Sequence, residues 1–243
     1  MGIKQYIAIF AACALKALPI TTGYDAALAL AEAYQRSVAL IFTGSDWDRD
    51  SQELQKRLDD PAFEEVIGKD VVFVKLDYAK DGALAADAVA EHFALKQAYS
   101  IESFPTVVLL DPAKREISRT GLLPLSGREF GLQIRTLLKE YHALENTEQS
   151  PEKNYFRAKK LGCRHLTERF LNLALSNKPS SRMLLELYAH GNDKKKWRKA
   201  ILESSDSNAH AELALLDYQE SGKVSDLEEA LFWVSEKSSD YWR

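Results

Sequence analysis

The chain has 243 residues, 46% of them hydrophobic and 28% charged, the balance of a globular protein with enough apolar material for a sizeable core. Its 32 Lys and Arg against 36 Asp and Glu leave a net charge of −4, which excludes a protein organised around phosphate neutralisation, so no nucleic-acid partner is expected. Two cysteines, Cys13 and Cys163, are too few for a disulfide framework or a thiolate metal site, and no uninterrupted apolar run is long enough to span a bilayer.

At the N-terminus, Lys4 precedes the apolar run Tyr6 to Leu15, followed by Pro19 and the small residues Thr21-Thr22-Gly23. That order reads as a signal peptide over residues 1–23, which places the mature protein in the periplasm or another exported location. Lys16 and the modest length of the run leave open an amphipathic helix retained in a cytoplasmic protein. From Tyr24 to Arg36, Ala27, Leu30, Ala31 and Tyr34 recur at helical spacing. Val38 to Thr43 is a short, continuous apolar run, the pattern of a strand buried on both faces. Gly44-Ser45-Asp46-Trp47 turns the chain. Asp48 to Leu58 then has carboxylates early and Lys56-Arg57 late, an order that suits a helix dipole at both ends. Pro61 stops that helix or starts the next one. Val71 to Asp77 is predicted as a second strand, Ala83 to Lys96 as a helix and Pro105 to Leu110 as a third strand. Asp111-Pro112 makes a turn, Glu116 to Thr120 an edge strand, and Gly127 to His142 a helix with Phe130, Ile134, Leu137, Leu138 and Tyr141 on one stripe.

Residues 145–151 contain no apolar side chain and end in Pro151, the composition of a linker. It separates a first domain, 24–144, from residues 152–243. There strand signals vanish, and helical patterns are broken at Asn177-Lys178-Pro179, Gly191-Asn192-Asp193, Asp206-Ser207-Asn208 and Ser221-Gly222-Lys223. Four or five helices are expected. The last two, within Ala209 to Lys237, offer Leu213, Leu216, Leu227, Ala230, Leu231 and Val234 for mutual packing, as in one helical hairpin of tetratricopeptide type.

The first domain resembles the thioredoxin family. The resemblance covers Tyr24 to about His142 and rests on the element order and two landmarks: Phe42-Thr43-Gly44-Ser45-Asp46-Trp47 at a strand-to-helix junction, and Ser103-Phe104-Pro105-Thr106 before the third strand. It implies an α/β thioredoxin-like domain, here followed by an all-α helical domain, with Pro105 in the cis form beside the site. In the redox-active family the tryptophan precedes Cys-x-x-Cys at a helix N-terminus, where the dipole lowers the first thiol's pKa and the second thiol, one turn away, resolves the mixed disulfide. The matching residues here are Asp48-Arg49-Asp50-Ser51. Neither Asp48 nor Ser51 can exchange disulfides, so the family's activity is not carried over. Phe42 stands where classical thioredoxins keep a buried acid, although active members with this form exist.

Nor does a different chemistry replace it. Asp48 and Ser51 lie one turn apart, but no histidine is near in sequence to serve as a base. His92, His142, His165, His190 and His210 are scattered without metal-ligand spacing, so neither metal nor cofactor is expected. What the resemblance leaves is a peptide-binding groove of Trp47, Phe104 and Pro105, in which the residue before the cis-proline pairs its backbone with an extended segment. The same residues can instead simply cap the core.

Two further features stand outside that groove. Cys163, in Leu161-Gly162-Cys163-Arg164-His165, is either a thiol made reactive by its cationic neighbours, which would support oxidoreductase or isomerase activity, or a small apolar residue in a helix. Lys194 to Lys199, with Trp197 inside the run, either touches anionic lipid or an acidic partner or is a solvated helix face. Residues 152–243 carry 16 basic and 14 acidic residues, a net of +2, against −6 for residues 1–151. The expectation is a redox-inactive protein that binds peptide segments or partner proteins in the cell envelope. An oxidoreductase or isomerase working through Cys163 or a partner's thiol is the rival, and a helical domain that does the work on a passive scaffold is the third reading.

Overall fold

A computed structural model of the chain describes residues 20–21, 23–67, 70–81 and 86–237. Residues 1–19 and 22 of the expected signal peptide, Cys13 and the predicted helix start at Ala83 lie outside the described residues; Ile20–Thr21, at the end of that expected peptide, pair with the sheet. Among the described residues the order is β1 (Ile20–Thr21), α1 (Tyr24–Tyr34), β2 (Ser37–Thr43), α2 (Arg49–Leu58), α3 (Pro61–Ile67), β3 (Val71–Asp77), α4 (Ala86–Ala98), β4 (Thr106–Leu110), β5 (Glu116–Thr120) and α5 (Gly127–Glu145). Only helices follow: α6 (Pro151–Leu161), α7 (Arg164–Ser176), α8 (Ser181–His190), α9 (Lys194–Leu202), α10 (Ser207–Ser221) and α11 (Val224–Lys237).

The strands form one mixed sheet in the order β1-β3-β2-β4-β5. Strands β2 and β3 run parallel with Thr43 opposite Asp77, so the loops after both strands open at the same end. Strand β4 runs antiparallel to β2, with Phe42 opposite Thr106, and brings the Phe104-Pro105 turn to that end. Every residue of β2 is buried, as its continuous apolar run requires. Its alternate residues Val38, Leu40 and Phe42 join Val72, Val74 and Leu76 of β3 under Ala27, Leu28 and Ala31 of α1 and Leu95 of α4. On the other face Phe73 meets Phe63 of α3 edge-on at 5.6 Å, and Phe63 stacks on Phe130 of α5 at 5.9 Å. Each such buried side chain contributes roughly 1.5–3 kcal/mol, which makes this aromatic trio a main tie between α3, α5 and the sheet. Helix α5 starts on a capping box, Ser126 accepting from the Glu129 N–H and Glu129 accepting from the Ser126 N–H. Leu137, placed on the buried stripe by its spacing, is only half-buried.

The chain divides into two compact units, and the division differs from the linker expected at 145–151. Only 146–150 are outside helices. The first unit continues past that turn, taking in Lys153–Arg169, while the second consists of Ser150–Glu152 and the residues from Phe170 onward. The reason is local chemistry: the Ser118 hydroxyl of β5 donates to the Leu161 carbonyl at 2.6 Å, and the Cys163 thiol donates to the Glu116 carbonyl. Gly162, at φ 80°, takes the left-handed turn that ends α6, a conformation only glycine adopts freely. Cys163 therefore sits in a turn rather than inside a helix.

Among the described residues six helices follow residue 150, more than the four or five expected, because the Gly162 turn splits one predicted helix in two. The other four breaks fall where the sequence places them. In the second unit Leu184, Leu185 and Tyr188 of α8 pack with Ile201 of α9 and Ala209 and Leu213 of α10. Helices α10 and α11 form the expected hairpin around Gly222, at φ 67°, but Leu231 points to solvent rather than into it.

Candidate functional site

Three turns converge at the carboxyl ends of β2 and β3. The first runs from Gly44 to Asp48 into α2. Asp48 is the N-cap: its carboxylate accepts from the Ser51 N–H at 2.8 Å and from the Ser51 hydroxyl at 2.5 Å. Ser51, only 1% exposed, accepts in turn from the Gly44 N–H at 3.0 Å. The two residues in the places of the family's thiols are thus bonded to each other and to the backbone. A carboxylate at a helix start is also stabilised by the dipole. Both side chains are thus engaged in capping the helix, with Ser51 held away from solvent.

The second turn follows β3. Asp77 accepts from the Thr43 hydroxyl at 3.1 Å and the Ser45 N–H at 2.9 Å, tying the two loops together. Next to it, the Tyr78 carbonyl accepts from the Trp47 indole N–H at 2.8 Å, and the Tyr78 hydroxyl donates to the His92 carbonyl. Burial pushes the Tyr78 hydroxyl up to about 12, so it stays protonated and remains a donor. Tyr78 stacks on the fully buried Phe42 at 6.3 Å. The third turn carries Phe104 and Pro105, joined by a cis peptide bond.

Trp47, Tyr78 and Phe104 form one aromatic cluster, with Phe104 5.5 Å from Trp47 edge-on and 5.1 Å from Tyr78. Trp47 remains 41% exposed despite its fixed nitrogen. Its ring lies so close over Gly44 that a Cβ there would meet the indole at 2.4 Å, which makes Gly44 a condition of the indole's position. Lys80 stands over Trp47 at 4.9 Å and Lys96 over Phe104 at 5.0 Å, both within cation–π range. Phe104 makes no backbone hydrogen bond among the described residues, so its N–H and C=O remain for an added partner.

The expected groove residues Trp47, Phe104 and Pro105 are thus brought together, with Asp48 and Ser51 directly behind Trp47. Tyr78, Lys80, Lys96 and Gly44 were missed as site residues. Their signal lay in the pairing of two parallel strands, since whatever follows Asp77 must stand beside whatever follows Thr43.

Cys163 is not part of this site; of the two readings its sequence allows, burial favours the small apolar residue, here in a turn of the first unit rather than in a helix. It belongs to the first unit, is 0% exposed, and burial pushes its thiol up to about 11. His165 stands 3.5 Å from the sulfur, but burial and the Arg115 charge lower its own pKa, so it supplies no stabilising cation at neutral pH. The pocket continues into Tyr141, whose hydroxyl donates to Asp111 at 2.7 Å and accepts from Arg115 at 3.0 Å. Burial alone would raise the Asp111 carboxyl. The hydrogen bonds from Tyr141 and Arg115 outweigh it and hold that carboxyl below the usual range.

The Lys194 to Lys199 run is largely engaged within the second unit: Lys194 pairs with Glu220, Arg198 with Asp217 at 3.1 Å and Lys199 with Glu203 at 3.7 Å. Lys196 lies over Trp197 at 4.3 Å. Among the described residues, no three His, Cys, Asp or Glu side chains gather as a metal would require, and no helix is long and apolar enough to cross a membrane.

Residues 24–127 match the thioredoxin-like domain family. The first domain is a member of the thioredoxin-like family. Its curated relatives include the thioredoxin-related protein DsbJ of Chlamydia pneumoniae, 24% identical over 83% of this chain and 64% of that protein. Another is the disulfide bond reductase DsbH of the same organism, 25% identical over 48% of this chain and 71% of its own length. This chain thus spans just under two thirds of DsbJ. Among solved structures, a DsbH oxidoreductase shares 23% identity over 52% of this chain and 88% of that one, with a TM-score of 0.48. The thioredoxin-like domain and its relation to Dsb-type proteins agree with the element order and the cis-proline turn.

Proposed function

We propose that this protein binds extended peptide segments of partner proteins at the Trp47-Tyr78-Phe104 surface of its thioredoxin-like domain and does not exchange disulfides. The observation that carries this reading is the combination of an open aromatic cluster and a free Phe104 backbone with a helix start whose thiols are replaced by the bonded pair Asp48 and Ser51. A segment laid beside Phe104 gains two backbone hydrogen bonds and apolar contact with Trp47, and neither interaction needs sulfur. Disulfide reduction, the activity named for DsbH, requires an attacking thiolate, which this helix start lacks. The apolar run before Pro19 supports a working place in the cell envelope. Calorimetric titration with extended peptides selected on an array tests the binding. Saturable binding weakened about tenfold or more by Trp47→Ala and by Phe104→Ala is expected, the loss typical of an aromatic anchor. Peptide binding indifferent to both substitutions would refute the reading.

A further inference from the structure

At the other end of β2, about 20 Å from Trp47 for a seven-residue strand at about 3.3 Å per residue, lies an open cleft of about 700 Å³. Tyr34 and Arg36 line it from the turn between α1 and β2, and Leu132, Arg135, Lys139 and His142 from α5. Asp70 is the one carboxylate among its described lining residues.

The cations of this cleft differ from several arginines elsewhere in the first unit. Arg57, Arg115, Arg119, Arg128 and Arg157 each have a carboxylate partner. Among the described residues, Arg36, Arg135 and Lys139 have none. They are nevertheless not loose. Arg135 donates to the Val66 carbonyl at 3.2 Å, which orients its guanidinium and leaves further N–H donors unused. The Arg36 guanidinium lies 5.1 Å from the Tyr34 ring centre.

We propose that this cleft docks an extended, acidic segment of a partner protein. Arg135, Lys139 and His142 follow one another at four and three residues on one face of α5, a rise of about 6 Å and then about 4.5 Å. Alternate side chains of an extended chain stand about 6.6–6.8 Å apart, so carboxylates at every second position meet successive turns of the helix. The exposed Tyr34 and Leu132, 46% accessible each, give the backbone and apolar residues of such a segment something to cover. A single phosphate would reach only part of a row about 10 Å long. A bilayer surface would leave a concave floor unfilled. The aromatic site plays no part in this inference.

The test uses the full chain and a fluorescein-labelled peptide, acetyl-Glu-Leu-Glu-Val-Glu-Leu-amide, with a Gln-for-Glu peptide as control and anisotropy as readout. Saturable binding is expected, weaker at about 200 mM than at about 50 mM salt. It should weaken about tenfold or more in Arg135→Gln/Lys139→Gln and be unchanged in Trp47→Ala. Lys139→Glu alone, an exposed position without an intramolecular partner, should weaken it too, which keeps the test valid if loss of the Val66 contact disturbs α5. Equal binding of the Gln peptide, or indifference to both sets of cleft variants, overturns the proposal. So does finding that inorganic phosphate or phosphatidylglycerol vesicles occupy the cleft while the acidic peptide fails to compete.

Discussion

The start of α2 and the pocket around Cys163 each hold half of what a reactive thiol site needs. At α2 there is a helix N-terminus beside an exposed aromatic cluster, but its side chains are the carboxylate of Asp48 and the hydroxyl of Ser51. Around Cys163 there is sulfur, but it is sealed from solvent, with its thiol near 11 and a neutral imidazole beside it. Thiol reactivity follows from the environment, not from the presence of a cysteine. This domain has kept the environment and placed its described sulfur elsewhere.

The comparison is broken most directly by returning sulfur to the open end. Asp48→Cys/Ser51→Cys should raise insulin disulfide reduction at least about a hundredfold above the wild-type background, because the helix dipole lowers the first thiol's pKa. Cys163→Ser in the unmodified chain should change nothing. Wild-type turnover abolished by Cys163→Ser would make the buried pocket catalytic and reverse the assignment.

Opening the sealed side should have the next largest effect. Tyr141→Phe removes the hydroxyl shared by Asp111 and Arg115 and should cost about 1–3 kcal/mol in urea unfolding. In a Cys13→Ser background, the same change should speed labelling of Cys163 by a thiol reagent. Equal labelling rates would mean that the network does not seal the thiol.

Acid should act on the same pocket. The folded-state pKa of Asp111 lies below its unfolded value of about 3.9, so its stabilisation is complete above about pH 5 and is lost as pH falls through the folded value. Asp111→Asn should lower stability at pH 7 and flatten its decline toward pH 3, read from urea midpoints. The smallest effect belongs to the cap: Asp48→Ala should cost about 1 kcal/mol by thermal unfolding, since it removes the hydrogen bonds from the Ser51 N–H and hydroxyl and one favourable charge.

Much of this architecture is written locally. The strand from Val71 to Asp77 and the edge strand from Glu116 to Thr120 fall where their patterns put them, because a short apolar or alternating run bounded by turn residues permits little else. The groove residues were legible because two landmarks marked the turns that bear them. Tyr78, Lys80 and Lys96 were not, since strand register and helix packing bring them over the tryptophan and phenylalanine. The unit boundary was misplaced for a related reason. A polar stretch with a terminal proline marks a turn, but it does not say that Ser118 and Glu116 will hold the chain beyond it. Gly162 was the local signal for the Cys163 turn, and a helical reading passed over it.

Those contacts at Glu116 and Ser118 also bear on how the molecule meets copies of itself. Among the described residues strand β5 pairs only with β4, and such an outer strand is a template for sheet growth and aggregation. Here the Glu116 carbonyl accepts from the Cys163 thiol, and the turn between α6 and α7 is bonded onto the strand at Ser118. The buried cysteine thus serves as an end-stop: an incoming strand must dislodge that turn before it can extend the sheet.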